Sequence, residues 1–424
     1  MSDTDTGADL DLDLDRIDLT DPDVFAERVP WDWFAYLRRE HPVFWHPEPA
    51  PNHGFWSVMR YRDVDRVMNE PAAFRSGLGI TFEEMEPDEL EARRSMMETD
   101  APRHTRLRRI VSPLFTPRAI REYEPFCRDL ARQIVDRALA LGGFDFVEEI
   151  SRQLPIRVLA RILGVPDEDT DQLIEWGDRM IGNMDPEFTD AVVGKVDTSA
   201  YRLLPFRSPA AAELTAYGHR MAELRRDDPR NDLVSKLVHA EVDGLKLTTS
   251  EFDNFFSLLV VAGNETTRHT ISHGMLTLMD HRDAWGHMVA DPSVIPSAVE
   301  EILRYSSVTM NFRRTATHDV ELGGKQIREG DKVVVWYISA DRDDEVFARP
   351  DEFDITRQPN PEVAFGSGGP HFCLGAPLAR MEIRVLFEEL LPRLREIEPT
   401  GPVSRLRSNF INGVKHVPVQ VEPV

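Results

Sequence analysis

Apolar and polar residues alternate in two short runs near the start of the chain, Val43-Phe44-Trp45-His46 and Gly54 to Met59, with a Pro-rich stretch at 47–51 between them. This pattern predicts two strands joined by a turn. A helical period begins at about Arg62. Residues 76–100, rich in Glu and Met, read as a long loop or broken helix. From Pro102 to about Leu394 helical periodicity dominates. The longest helix is predicted from about Thr249 to Asp280, with Thr249 or Ser250 as its cap and Glu251 and Asp253 in its first turn. Its middle, Leu258 to Ala262, is apolar on all sides, which predicts a central core helix. Short strands are expected at Val320–Leu322, Gln326–Arg328 and Lys332–Trp336, punctuated by Gly323-Gly324 and Glu329-Gly330-Asp331. A Pro/Asn/Gly-rich loop over 358–371 runs to Cys373. A helix with Pro377 in its first turn follows, and the tail over 401–420 predicts a last hairpin.

These elements make a mainly α protein with small β-sheets. No repeat or Gly/Ser linker divides the sequence, so one domain is expected over 24–424. Residues 1–23 carry nine Asp and one Arg, and Asp alternates with Leu from Asp9 to Asp15, which predicts an acidic flexible arm. The arm has no basic start and no apolar run, so it does not read as a signal peptide, and no stretch is apolar enough to span a membrane. The formal net charge of −24 argues against nucleic acid as a partner of the whole surface. Only two cysteines, Cys127 and Cys373, exclude a disulfide scaffold and fit a cytoplasmic protein.

The most informative segment is Phe365-Gly-Ser-Gly-Gly-Pro-His371-Phe-Cys373-Leu-Gly375. A thiol just ahead of a helix N-terminus is drawn towards thiolate by free backbone N–H groups and the helix dipole. The glycines allow the backbone to approach a flat ligand closely. A lone cysteine is more often a small buried hydrophobe, and one Cys is too few for a tetrahedral zinc site. The loop also fails the G-x-G-x-x-G phosphate pattern, because His371 stands where the last Gly belongs. What the loop does resemble is the haem-ligand loop of the cytochrome P-450 monooxygenases. The resemblance implies haem b as cofactor, Cys373 as its iron ligand, Phe365 and Gly375 against the porphyrin, and His371 at a propionate. It also implies the family's triangular-prism-like fold, with the long helix over the haem.

Other motifs fall in that family's order. His104 and Arg108 lie four apart, on one helical face. With Arg314 they resemble the family's propionate-binding cations. Ala262-Gly263-Asn264-Glu265-Thr266 on the long helix is similar to the oxygen-binding stretch, which implies Ala262 and Gly263 at the haem and Glu265 and Thr266 as a proton relay. A Gly inside a helix costs about 1 kcal/mol against Ala and so has a reason, and the Thr266 hydroxyl can bond back to Ala262. Glu301 and Arg304 match the family's E-x-x-R pair. Where the family often places a third partner, an Arg after Pro350, this chain has Glu352. His269 and His273, four apart, mimic a metal pair, but Thr270 breaks H-E-x-x-H and both are expected to be packing residues.

The resemblance maps substrate contacts to Leu78, Ile80, Val260, Val261, Val308, Met310, Phe312, Phe410 and Ile411, with a lid over 183–209. These residues are mostly apolar, so a hydrophobic small molecule is expected: a steroid, terpenoid or branched lipid, oxidised with O2. No nicotinamide or flavin fingerprint is present. Electrons are therefore expected from a ferredoxin or flavodoxin with its NAD(P)H reductase, docking near Arg103, Arg106, Arg109 and Arg118. The competing readings are a haem sensor without catalysis and a peroxide-using haem-thiolate enzyme.

Overall fold

The computed structural model describes residues 12–50, 52–242 and 244–424. It is helix-rich with small sheets, as the pattern predicts. The long helix spans Thr249–Asp280, and its cap is Thr248. Thr248 accepts the Glu251 N–H while Glu251 reaches back to the Thr248 N–H, so a reciprocal box closes the first turn. Its 32 residues give a rod roughly 48 Å long at 1.5 Å per residue. Gln153–Leu163, Thr170–Ile181, Pro209–Asp227, Ile295–Ser306 and Ala376–Leu390 pack around it. The largest apolar cluster fills the space between these helices.

The first two predicted strands, Val43–His46 and Phe55–Val58, pair antiparallel. They join a five-stranded sheet with Lys332–Trp336, Asn311–Ala316 and Phe74–Arg75. Lys332–Trp336 is its central strand and is buried throughout. Asn311–Ala316 pairs beside it, with Arg314 opposite Val333, which carries the Arg314 backbone into the interior. The tail forms the expected hairpin, Ser404–Arg405 against Val414–His416. A further sheet joins Leu394–Pro399, Pro418–Pro423 and Gly143–Asp145. No helix among the described residues is long and apolar enough to cross a membrane.

The acidic arm expected over 1–23 ends earlier than its charge implies. Residues 1–11 lie outside the described residues. Ile17 and Leu19 are buried in an aromatic cluster with Phe25, Phe34 and Trp336. His46 Nε2 accepts the Leu19 N–H at 3.0 Å, and Asp23 pairs with Arg407. Ile17 and Leu19 find the core while Leu14 stays exposed, and Asp23 finds a base.

The segment 183–208 contains no α-helix, only the short turns Ser199–Tyr201 and Pro205–Arg207, and helix Pro209–Asp227 ends it. Phe206 and Arg207 both adopt positive φ, 58° and 49°, a left-handed geometry that costs about 1 kcal/mol or more per non-glycine residue. Ion pairs hold this segment at both edges. Arg207 meets Glu83 at 2.6 Å and Glu89 at 3.4 Å, and Arg202 meets Asp88 at 2.7 Å. At the other edge Glu187 accepts from Lys415 and His416, and Asp185 from Lys415.

Candidate active site

The cysteine loop turns on Gly366, Gly368 and Gly369, all at positive φ. A Cβ on Gly369 would meet the Met68 carbonyl oxygen at 2.5 Å, so this glycine is sterically required. The Cys373 N–H donates to Phe365 O at 3.0 Å and closes the loop. Helix Ala376–Leu390 begins immediately after Gly375, and the Gly375 and Ala376 N–H groups hydrogen-bond the Cys373 sulfur. The protein packed around the sulfur pushes the thiol above its ordinary value, while those two N–H groups and the charges of Arg108 and Arg380 pull it down. Cys373 nevertheless keeps exposed surface, whereas Cys127 is buried. Burial wins, so the thiolate is completed by a bound metal, with the two N–H groups and the arginines placed to stabilise it. The Arg380 guanidinium lies 4.5 Å over the Phe365 ring, holding the start of the loop.

Four donors converge beside this loop. His104 and Arg314 are each only 2% exposed. The His104 and His371 rings lie 4.2 Å apart. Burial, with the charges of Arg314, His104 and Arg108, drives His371 down to about 2, so all four groups share one region. Their own partners are few: Arg108 donates to Phe372 O at 2.6 Å, Arg314 to Arg313 O at 2.8 Å, and His371 Nε2 meets Ser76 Oγ at 3.2 Å. His104 Nε2 is buried with no hydrogen-bond partner among the described residues. No carboxylate side chain among them hydrogen-bonds to any of the four. The Asp100 charge reaches His104 and Arg314 only through space, and buried guanidinium groups with no carboxylate bonded to them are costly unless an anion joins them. Two propionates beside a Cys-ligated iron meet that need, so the residues present fit a haem.

The long helix carries an open stripe of its own. In the middle of the rod, between Asn254 and Ser272, Leu258, Leu259, Gly263 and Thr266 are half-buried and Ala262 is exposed while their neighbours are buried, giving an open stripe at helical spacing. Thr266 Oγ donates to Ala262 O at 3.0 Å, the back-bond expected from the sequence. Gly263 has a packing reason: a Cβ there would lie 3.1 Å from Leu159, so its absence lets helix Gln153–Leu163 approach.

Glu265 does not project along that stripe. It is fully buried on the flank of the helix, bonded by Arg268 and, at 2.8 Å, by Asn264 Nδ2. Asp178, from helix Thr170–Ile181, accepts from Arg268 and from Arg152 at 2.5 Å each. Glu265 and Thr266 stand out in the sequence, but this counter-charge system does not. Its members are dispersed along the sequence and no motif links them.

Elsewhere the sequence expectations meet mixed outcomes. Glu301 and Arg304 are fully buried and paired at 2.8 Å. Their third partner, doubtful with Glu352 at the usual place, is Arg357, whose Nε lies 3.1–3.2 Å from both Glu301 oxygens. Glu352 contributes its backbone carbonyl to both arginines, while its side chain pairs with Arg349 at the surface. His269 accepts the Val414 N–H at 3.1 Å and His273 meets Asn412 O at 2.8 Å. Burial holds both imidazoles neutral, His273 down to about 3, so they are packing residues.

Ile80, Phe312, Phe410 and Ile411 are brought together. Arg313 N donates to Ile80 O at 2.8 Å, Met310 N to Phe410 O at 2.9 Å, and the Phe312 and Phe410 rings lie 5.4 Å apart. Ile411 bridges Thr309, and Leu78 is exposed. Val261 and Val308 sit in the main core. Val260 and Met310 are sealed at 0% exposure and pack rather than line, Val260 because two residues from Ala262 is the opposite helix face. Arg103 and Arg106 are committed to Glu251, and Arg103 also to Glu91 at 3.1 Å, so they do not form an open basic patch; Arg109 and Arg118 are exposed.

A profile of the family described as Cytochrome P450 matches residues 287–409. The steroid C26-monooxygenase of Rhodococcus jostii is 38% identical over 412 residues, 95% of this chain and 84% of that one. The methyl-branched lipid omega-hydroxylase of Mycobacterium tuberculosis is 41% identical over 397 residues, 91% of this chain and 90% of that one. A solved Mycobacterium marinum cytochrome P450 in complex with pseudoionone superposes with a TM-score of 0.88 at 39% identity, covering 96% of this chain and 99% of that one. With the four donors gathered beside the thiol loop and these similarities over nearly the whole length, the chain belongs to the cytochrome P450 family and is a haem-thiolate monooxygenase that uses O2 on a hydrophobic substrate.

Proposed function

We propose that the chain hydroxylates a steroid, terpenoid or methyl-branched lipid, with Cys373 as the iron ligand and electrons drawn from a ferredoxin or flavodoxin. The observation that carries the reading is the meeting of a thiol capped by helix N–H groups with four donors, none of them hydrogen-bonded to a carboxylate among the described residues, in one region. When bound there, the haem supplies oxygen activation, and thiolate ligation favours O–O cleavage. The chain supplies the setting. His104, Arg108, Arg314 and His371 hold the propionates. Thr266 Oγ donates its hydroxyl proton to Ala262 O at 3.0 Å; on releasing that bond it hands the proton to the groove, and Glu265 behind it replaces the proton.

The wall of Ile80, Phe312, Phe410 and Ile411 contacts an apolar skeleton, which supports the substrate class. Two of the similar enzymes are named for a steroid and for a methyl-branched lipid, which supports the same class. Docking of the electron donor uses the exposed Arg109 and Arg118, and their reversal to Glu slows ferredoxin-driven reduction. The test of the whole is Cys373→Ser in haem-loaded protein. The thiolate-type Soret band of the reduced carbon monoxide complex disappears if the reading is right, and its persistence refutes it. Steroid, terpenoid and branched fatty acid panels, read by the spin shift of the bound haem, then sort the substrate class.

A further inference from the structure

Two buried carboxylates share one guanidinium behind the Thr266 stripe. Glu265 is 0% and Asp178 4% exposed. Arg268 donates from Nη1 to Asp178 Oδ1 at 2.5 Å and from Nη2 to Glu265 Oε2. Arg152 donates to the other Asp178 oxygen at 2.5 Å and to Glu148 at 2.5 Å. Asn264 occupies Glu265 Oε1, and His269 Nε2 lies 3.5 Å from Glu265 Oε2. These are the charged and titratable groups facing the pair from the three helices involved and from the Val147–Ser151 turn. Arg152 also lines a surface cleft of about 430 Å³, together with Glu149, Gln153, Arg157 and Asp171. The array therefore touches solvent at one end and ends beside Thr266 at the other.

Guanidinium groups do not release protons at working pH. Arg268 and Arg152 are thus fixed charges that hold two acids in register, and the mobile protons belong to the carboxyl groups. Two acids this close titrate as a pair, one keeping its proton while the other ionises. Burial raises both against the pull of the arginines, and the charge of Glu265 raises Asp178 further.

We propose that Asp178 is a positioning residue for proton supply: it links Glu265 to solvent through the Arg152 cleft, so that the carboxyl pair is recharged from that face of the molecule and not from the substrate side. The inference rests on the relay reading of Glu265 and Thr266. The balance is simple. Thr266 Oγ passes its proton into the groove, Glu265 gives one to Thr266, Asp178 returns one to Glu265, and one enters Asp178 from cleft water. No electron moves within the chain.

The experiment uses the haem-loaded enzyme with its electron donor. Peroxide released per reducing equivalent, the solvent deuterium effect and the pH profile are measured for wild type, Thr266→Ala, Asp178→Asn and Asp178→Glu. Asp178→Asn is expected to raise peroxide leak by roughly ten-fold or more and to enlarge the deuterium effect, with the substrate spin-shift affinity unchanged; Asp178→Glu restores both. A coupled Asp178→Asn alongside a leaking Thr266→Ala overturns the inlet and leaves the relay standing. A coupled Thr266→Ala overturns the relay itself. Independently of turnover, infrared spectra of the resting enzyme are expected to show a protonated carboxyl band absent from both Glu265→Gln and Asp178→Asn; persistence in both overturns the shared proton. If Asp178→Asn does not fold, Gln153→Trp plugs the cleft without touching Asp178. Slower deuterium exchange of the band in that variant supports the inlet, and an unchanged rate overturns it.

Discussion

Replacing Arg357 by Ala isolates the interaction that anchors the loop leading to Cys373. Arg357 is only 8% exposed and Glu301 not at all. Besides both Glu301 oxygens, its guanidinium bonds Ala348 O at 2.6 Å, Arg349 O at 3.2 Å and Glu352 O at 2.9 Å. Removing one partner of a buried pair typically costs about 3–5 kcal/mol. Glu301 keeps Arg304, the Asp354 N–H at 2.9 Å and Asn360 at 3.2 Å, which places the loss near the low end, about 3 kcal/mol. An unfolding entropy of about 2.1 cal/mol/K per residue over 424 residues converts this to a fall in Tm of roughly 3 °C. Arg357→Lys keeps the charge but loses the fork, and falls between. Glu352→Ala is the control: that carboxylate is 58% exposed, and its loss changes stability by about 0.5 kcal/mol or less. Thermal unfolding of the haem-loaded protein, followed by Soret absorbance and far-ultraviolet dichroism, reads all three. An Arg357→Ala protein as stable as wild type, or a larger loss in Glu352→Ala, refutes the assignment.

Three further outcomes follow from the same structure. Arg314→Ala removes a buried cation that no carboxylate among the described residues hydrogen-bonds, so transfer of haem to an acceptor globin is expected to accelerate about ten-fold, equivalent to roughly 1.4 kcal/mol; equal transfer rates would separate Arg314 from the propionates. Arg207→Ala breaks the pairs to Glu83 and Glu89 and frees the left-handed Phe206–Arg207 turn. Stopped-flow spin shifts should then show faster substrate association and weaker acceleration by salt than in wild type. Burial alone would lower His416, but its bonds to Glu187 and Asp145 outweigh that and raise it. A raised histidine stabilises fully below its unfolded value near 6.5 and loses that contribution as pH rises through the folded value. Proteolytic nicking within 183–209 should therefore increase from pH 6 to 9 in wild type and be high and pH-independent in His416→Gln.

The bounds of the long helix were legible because its apolar middle and its capping residues agree, and Thr248 displaced the expected cap by only one turn-forming residue. The cysteine loop was legible because its glycines, thiol and following Pro377 sit within one short segment. Partners distant in sequence were not. Arg357 replaces the expected partner at Glu352 because a loop backbone can deliver a guanidinium from several positions. Arg103 and Arg106 look like surface charges until Glu251 is brought beside them. Asp178 and Glu265 meet only through the crossing of two helices, a tertiary fact that periodicity does not encode. The arm from Ile17 onward was misjudged because charge density hid two apolar side chains with a place in the core.

Cys127 lies fully enclosed between helices Glu124–Leu139 and Ala376–Leu390, its thiol raised by burial. An alkylating reagent therefore meets one accessible cysteine sulfur per folded chain, and that sulfur is the one an iron ligand would mask. Counting labels by intact mass then gauges cofactor occupancy directly, without any chromophore.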